Sequence, residues 1–517
     1  MLDLLIVVAY FAVIMFVALR GRQPEEETSV NAYFLSGNNL RWPSVAMSTI
    51  ATNVQGYQFL GMMGSAYLYG LAQANLEINA VQGILLAAFL FVPLYLKEKV
   101  ITITQFIERK VGAKVALAYS LANMALFATV TLGAALFWGS FAAEKVFGNY
   151  FTFISDEPMV RMGVIIIVLG IFSAVYTYLG GLAAVVKTDI IQFAILVTGG
   201  VVVTLVAVNN LGGWGQLYEQ TPQLMHLHLP ADHPKLPWTL MFGLFFLNIN
   251  YWCANQSVVQ RSLAAKSLRE AQIGLMVGGV TKYLMAVIII VPGIALYGIL
   301  SREGGGLADP DGAFPYLVNL LPTGVKGIIL CALFASLMST VDSTFNSLAT
   351  LWSVDVYKRY LRPEATESEM VRAGRRTILV ALFTGVAMGL ILMYLKMTDP
   401  EAAFTHALNE MRYYINCGIV VVILSAALLL APVPGVTLVS FLCSSLVYAG
   451  LKWAFPEMNY FVRAGCVIAG VFLLVQVPAA GFRFRPLREW LVAEEANVKW
   501  WGAGLALSLV VLHFVFH

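Results

Sequence analysis

Charge is what this sequence has least of: Lys, Arg, Asp and Glu make up 12% of its 517 residues, about half the ~25% of an ordinary soluble protein. A chain this long would form roughly three or four soluble domains, and so little charge cannot clothe their surfaces. Cysteine is scarce and scattered. Cys253, Cys331, Cys417, Cys443 and Cys466 all fall inside apolar stretches, without the paired spacing of a zinc site or of a secreted disulfide framework, so they read as small buried hydrophobes. The six histidines supply no His-Glu-x-x-His pair, which excludes the helical metalloprotease motif. A net charge of +3, without a basic tail or a basic-aromatic patch, is too weak to argue for a nucleic-acid partner, and none is expected.

What the chain has instead is apolar length. Hydrophobic residues make up 59% of it, and the lipid bilayer is the solvent that suits such a surface. Runs of about 17 to 25 apolar residues give fourteen spans: 3–20, 43–66, 70–97, 113–143, 160–180, 183–209, 238–263, 271–300, 324–357, 375–396, 403–430, 434–454, 462–479 and 499–516. The positive-inside rule tests the count. With the N-terminus outside, twenty-one of the 32 Lys and Arg residues fall in inside loops, Arg109, Arg261 and Lys358 among them; eight fall outside, and Lys187, Lys282 and Arg412 lie within or beside spans. The asymmetry supports an integral, multi-pass plasma (inner) membrane protein with both termini outside. The run 3–20 follows Asp3 rather than a basic region and has no small-residue cleavage site, so it reads as a retained span, not a signal peptide. The longest loops, about 210–237 and 358–374, are too short for a second core. Gly304-Gly305-Gly306 followed by Asp309-Pro310-Asp311-Gly312 resembles half a calcium loop but lacks its later glutamate, and reads as a flexible turn.

Two spans are interrupted by polar residues. The second reads Ser48-Thr-Ile-Ala-Thr-Asn-Val-Gln-Gly-Tyr-Gln58 and the seventh Asn248-Ile-Asn-Tyr-Trp-Cys-Ala-Asn-Gln256. Polar residues on a membrane helix often only bridge neighbours, and Gly56, Gly61 and Gly64 serve close packing. Yet both interruptions open successive five-span units once the first span is set aside, as an inverted repeat requires, and transporters bind solute and ions at such breaks.

Ionisable residues at membrane depth are the next filter, since each costs about 2.5 kcal/mol upward. Glu77, Asp189, Lys282, Asp342 and Arg412 stand out. Lys187 and Arg412 fit span ends, where long side chains snorkel. Glu77 and Lys282 lie deep in apolar helices without a local counter-charge, and are expected to share a polar cavity. In the span 324–357, Ser336, Ser339, Thr340 and Ser343 share one helical face, with Asp342 at its edge. Such hydroxyls also bond back to their own helix. Converging on the carbonyls of a broken helix, they suit a small hard cation, with sodium the obvious candidate.

The stretches Tyr178-Leu-Gly-Gly-Leu-Ala-Ala-Val-Val-Lys-Thr-Asp-Ile-Ile-Gln192 and Tyr251-Trp-Cys-Ala-Asn-Gln-Ser-Val-Val-Gln-Arg-Ser-Leu-Ala-Ala-Lys266 resemble the sodium/solute symporter family, and within it the sodium/sugar cotransporters. The similarity runs through Phe345-Asn-Ser-Leu-Ala-Thr-Leu and Val354-Asp-Val-Tyr357 to about residue 430. The resemblance implies an all-α polytopic membrane protein with a LeuT-type 5+5 inverted-repeat core and extra helices. Its parts would be an N-terminal peripheral helix and inner loop (1–41), a first repeat (42–210), an outer loop (211–237), a second repeat (238–430) and C-terminal peripheral helices (431–517). Carried over by position, the main sodium site would use the carbonyls of Ala51 and Val54 with Ser336, Ser339 and Thr340. A possible second sodium site would use Asp189, Ser339, Asp342 and Ser343, where two carboxylates hold a cation or share a proton. The solute positions would be Gln58, Glu77, Asn248 and Lys282, with Tyr251 as an inner aromatic gate, Trp252 beside it and Asn53 joining them. Two positions depart from the family pattern: Asn409 stands where a glutamine is usual, and Ala80 replaces a serine of some relatives.

Amide, carboxylate and ammonium groups facing hydroxyls, with an aromatic face over the C–H side, match an uncharged polyol. The expected activity is therefore sodium-coupled import of a monosaccharide by alternating access, with the sodium ion as co-substrate and no catalytic residue. Inositol, sialic acid or an amino acid remain as other solutes, and a sugar sensor or sodium leak as other uses of the scaffold. An intramembrane aspartyl protease pairing Asp189 with Asp342 is disfavoured, because the residues around both carry the transporter resemblance.

Overall fold

The computed structural model describes residues 2–20, 28–56, 58–398, 404–486, 489 and 492–517, with only the helical backbone for 404–409. Among them every regular element is a helix or helical turn. Eleven stretches of the described residues are long and apolar enough to cross a membrane. Two of these reverse direction at a glycine, and the shorter Leu240–Cys253 adds another crossing, giving fourteen segments.

Glycine is required at both reversals. Gly70 (φ 61°, ψ −142°) and Gly181 (φ 52°, ψ −145°) share a conformation closed to other residues. A β-carbon would lie 2.2 Å from the Leu224 carbonyl oxygen at Gly70, and 2.3 Å from that of Tyr33 at Gly181. Helix packing on Leu268–Arg302 shows the first reversal. Val45 and Met63 meet Gly274 and Gly293, so the second span runs parallel to this helix. The next runs back, with Glu77 meeting Lys282 and Ala88 meeting Gln272.

The second span is the broken helix expected from its polar run. Trp42–Asn53 starts with Pro43 in its first turn and stops where Val54 turns extended. A π-helical turn, Gln58–Met62, then leads into Met63–Tyr69. The seventh span breaks likewise: Leu240–Cys253 ends at Ala254, and Asn255 caps Gln256–Leu263 by accepting from the Ser257 N–H at 2.9 Å. The two broken helices are antiparallel, since Asn79 and Gly83 on the return from the first meet Asn248 and Trp252 of the second in the same order.

At the centre stands Val325–Thr350, continued as a π-helix, Leu351–Leu361. Its most apolar window is 94% buried, whereas that of the last helix, Ala496–Val515, is 22% buried. A helix enclosed on all sides can carry hydroxyls inward only where they find partners. The rim shows Phe383, Leu446, Leu474 and Phe514 to the outside, as a lipid-facing surface does. The first helix, Leu2–Leu19, is pinned to the central one: the buried Asp3 carboxylate accepts from the Gly324 and Gly327 N–H groups at 2.7 Å each and from Tyr150 Oη at 3.0 Å.

Candidate functional site

The break in the second span frees backbone oxygens. In an unbroken helix the Gln55 N–H would bond to the Ala51 carbonyl and the Gln58 N–H to that of Val54. Here Gln55 N–H donates to Gln58 Oε1 at 2.8 Å, and Gln58 N–H to the Gln55 carbonyl at 2.9 Å. Ala51 and Val54 are thereby released from their helical partners. The serine-bearing helix approaches at this level: Thr340 Oγ1 donates to the Thr52 carbonyl and to its own Ser336 carbonyl, both at 3.3 Å. Ser336 Oγ bonds back to Leu333 at 2.9 Å. All five main-site positions are buried, and Thr340 is the one seen in contact with the break among the described residues.

Beside them lies a charged network. Asp189 accepts from Ser48 Oγ, Ser339 Oγ and Arg261, the Arg261 Nη2 distance being 3.2 Å. Arg261 also donates to Ser48 Oγ at 3.0 Å, to the Ser257 carbonyl and to Ser343 Oγ. Ser343 Oγ in turn lies 3.0 Å from Thr52 Oγ1. Asp342 accepts from Tyr176 Oη and, at 3.4 Å, from Ser343 Oγ. The four residues of the possible second site are thus adjacent. Arg261, counted above among the basic loop residues, is instead wholly buried beside them. It sits in the short helix after the second break, inside the apolar run 238–263 although counted with the loop that follows, and that helix is packed into the protein.

The solute positions form a second cluster on the other side of the break. Lys282 forms an ion pair with Glu77, and its Nζ also donates to Asn53 Oδ1 at 2.6 Å. Gln58 Nε2 donates to the other Glu77 oxygen at 2.8 Å. The Trp252 ring lies 6.0 Å from Lys282 Nζ, in reach of a cation–π contact. Asn248 joins indirectly, donating to the Asn79 carbonyl at 2.9 Å, two residues from Glu77. Tyr251 packs edge-on against Trp252 at 5.1 Å and lines a separate polar cavity of about 100 Å3 with Thr52, Gln55, Thr340 and Arg412. The Asn409 side chain lies outside the described residues. Sequence reasoning missed Ser48, Thr52, Tyr176 and Arg261. Ser48 and Thr52 are signalled only by their helical spacing within the polar run.

Membrane-crossing helices gathered around two antiparallel broken helices, with buried polar side chains at the breaks, define a secondary transporter. The model of the sodium:solute symporter family matches residues 33–425. The chain belongs to this family, and sodium is its co-substrate. It is 33% identical over 408 residues to the sodium/glucose cotransporter of Vibrio parahaemolyticus, covering 74% of this chain and 73% of that protein. It is 30% identical over 424 residues to sodium/glucose cotransporter 1 of Sus scrofa, covering 74% of this chain and 62% of that one. Among solved structures, a Na+-coupled sialic acid symporter in a substrate-bound, outward-open state matches with a TM-score of 0.80 at 18% identity, over 94% of this chain and 99% of that one. The nucleobase-cation-symport-1 transporter Mhp1, in a closed conformation, matches at 0.52 and 13% identity, over 92% and 98%. The fold is the LeuT type.

Proposed function

We propose that the protein imports a monosaccharide together with sodium. The observation that carries this reading is the contact of two dissimilar clusters across one helix break. The Thr340 hydroxyl meets the Thr52 carbonyl, beside which Ala51, Val54, Ser336 and Ser339 are read as the other sodium ligands, while at the next residue Asn53 joins the Gln58, Glu77 and Lys282 group under Trp252. Sodium drawing the serine-bearing helix onto the freed carbonyls organises the break that carries Asn53 and Gln58. Solute binding then completes the site and permits rocking to the opposite opening. The glucose-transporting relatives support a sugar over the other solutes, as do paired donors and acceptors without a net charge. Residues 42–210 and 238–430 are the two repeats in this reading. The end bearing Lys97, Arg109 and Lys358 faces the cytoplasm and both termini face outward, in the plasma (inner) membrane. The protein carries solute without chemically altering it.

The test is uptake of labelled glucose or galactose into proteoliposomes under a sodium gradient, in competition with other hexoses, inositol, sialic acid and proline. Saturable, sodium-dependent uptake displaced by hexoses is expected. Displacement by sialic acid or proline alone overturns the sugar assignment, and uptake indifferent to sodium overturns the coupling.

A further inference from the structure

A cavity of about 540 Å3 lies at the lysine- and arginine-rich end, away from both clusters, with Thr104, Gln105, Glu108, Asp355 and Lys358 among otherwise largely apolar walls. Asp355 is 6% exposed. Its carboxylate accepts from Thr102 Oγ1 at 2.6 Å and Ser120 Oγ at 3.1 Å. Among the described residues it has no basic partner. Lys358 Nζ donates to the Ala365 carbonyl at 2.8 Å, and Arg359 is paired with Glu108. Thr104, 4% exposed, lines the same cavity beside Asp355, and among the described residues its buried hydroxyl completes no hydrogen bond of good geometry. A buried carboxylate without counter-charge, ringed by three hydroxyls, is a set of hard oxygens in need of a positive charge. The Thr102 and Ser120 hydroxyls can rotate to turn lone pairs toward a cation.

The position relative to the sodium cluster gives this set a use. Asp355 and Thr340 are on one continuous helical rod, fifteen residues or about 22 Å apart at 1.5 Å per residue. That exceeds the ~15 Å half-thickness of a bilayer core, so a cation leaving the central site meets Asp355 where water begins. Between them the rod carries Ser343, Ser347 and Thr350, all buried. Gln260 faces these hydroxyls, donating to Thr350 Oγ1 at 2.9 Å and accepting from Ser347 Oγ at 3.4 Å. Polar oxygens therefore follow one another from the broken helix to the cavity.

We propose that Asp355, Thr102, Thr104 and Ser120 form a transient cation site that receives the co-transported sodium as it leaves for the cytoplasm. The inference rests on the sodium-symport reading above. Sodium added inside proteoliposomes should inhibit sodium-driven hexose uptake by refilling this site. Asp355→Asn is expected to raise the internal sodium needed for half-inhibition about tenfold and to slow net uptake, as loss of a charged ligand demands. Tracer exchange at equal sodium on both sides should change little, and Asp355→Glu should restore the internal-sodium response. Thr104→Val keeps the carboxylate and the side-chain shape, so it carries the test if Asp355→Asn does not fold; a severalfold rise is expected. An unchanged internal-sodium response in a folded variant overturns the site alone, as does loss of exchange in parallel with uptake. Absence of sodium-driven uptake by the unaltered protein overturns the symport reading and this site with it.

Discussion

Arg261 Nη2 lies 3.2 Å from Asp189 Oδ2, with both side chains wholly buried. The pair joins the short helix after the second break to the helix that follows Gly181. Removing one partner strands a charge in the membrane interior, at about 3–5 kcal/mol. Asp189→Ala and Arg261→Ala are each expected to lower the thermal unfolding temperature of the detergent-solubilised protein, whereas Asp189→Leu with Arg261→Met recovers much of that loss. A double variant whose loss equals the sum of the two single losses would show that the two act independently.

The two clusters at the first break should separate kinetically. Ser339→Ala with Thr340→Ala removes hydroxyls facing the Thr52 carbonyl and Asp189, and is expected to raise the sodium concentration for half-maximal uptake by about tenfold or more. Glu77→Ala and Lys282→Ala instead raise the KM for hexose at saturating sodium. Equal shifts of both parameters in both variants would contradict the division.

Gly181 and Gly70 have no substitute. Alanine would put a methyl group within 2.3 Å of a carbonyl oxygen at either position and hold a positive φ, a strain on the order of 1–3 kcal/mol before the clash is relieved. Gly181→Ala and Gly70→Ala should reduce the monodisperse fraction in size-exclusion chromatography. Gly450→Ala, at a position with open space around it, should leave that fraction intact.

Acid should loosen the face that carries His228. Its Nε2 lies 3.0 Å from His513 Nδ1, and His513 Nε2 lies 3.1 Å from Asn79 Oδ1, next to the solute cluster. Burial, then the nearby His517, hold His228 below its ordinary value of 6.5. The folded state therefore binds this proton more weakly than the unfolded state. The stability it contributes is complete above pH 6.5 and is lost as pH falls through the lowered value. Thermal unfolding between pH 5 and 8 should show a decline on the acid side that His228→Gln flattens; an unchanged profile in His228→Gln would assign the decline elsewhere.

The sequence disclosed segments better than neighbours. Apolar runs marked the crossings, because burying backbone in lipid leaves the helix as the economical choice. The polar runs 48–58 and 248–256 marked the breaks. What pattern could not supply was depth and direction after a break. Arg261 looks like a loop residue when spans are counted as straight rods, but the helix that carries it turns back into the protein. The pairing of Glu77 with Lys282, separated by 205 residues, was legible as two deep charges without local partners that had to share one polar cavity. The hydrogen bonds that release Ala51 and Val54 left no trace in residue type, since they depend on which oxygen the Gln55 and Gln58 N–H groups choose.

The Glu77–Lys282 ion pair has an electrical consequence. The two charges cancel, so the compartment that holds a neutral sugar can pass from one side of the membrane to the other without carrying charge. The membrane potential then acts at the sodium side, on the cation and on the buried Asp189, Arg261 and Asp342 beside it, at about 2.3 kcal/mol per elementary charge for every 100 mV. Current per molecule of hexose becomes a direct count of sodium ions, and the steepness of accumulation against voltage is set at the serine-bearing helix rather than at the sugar.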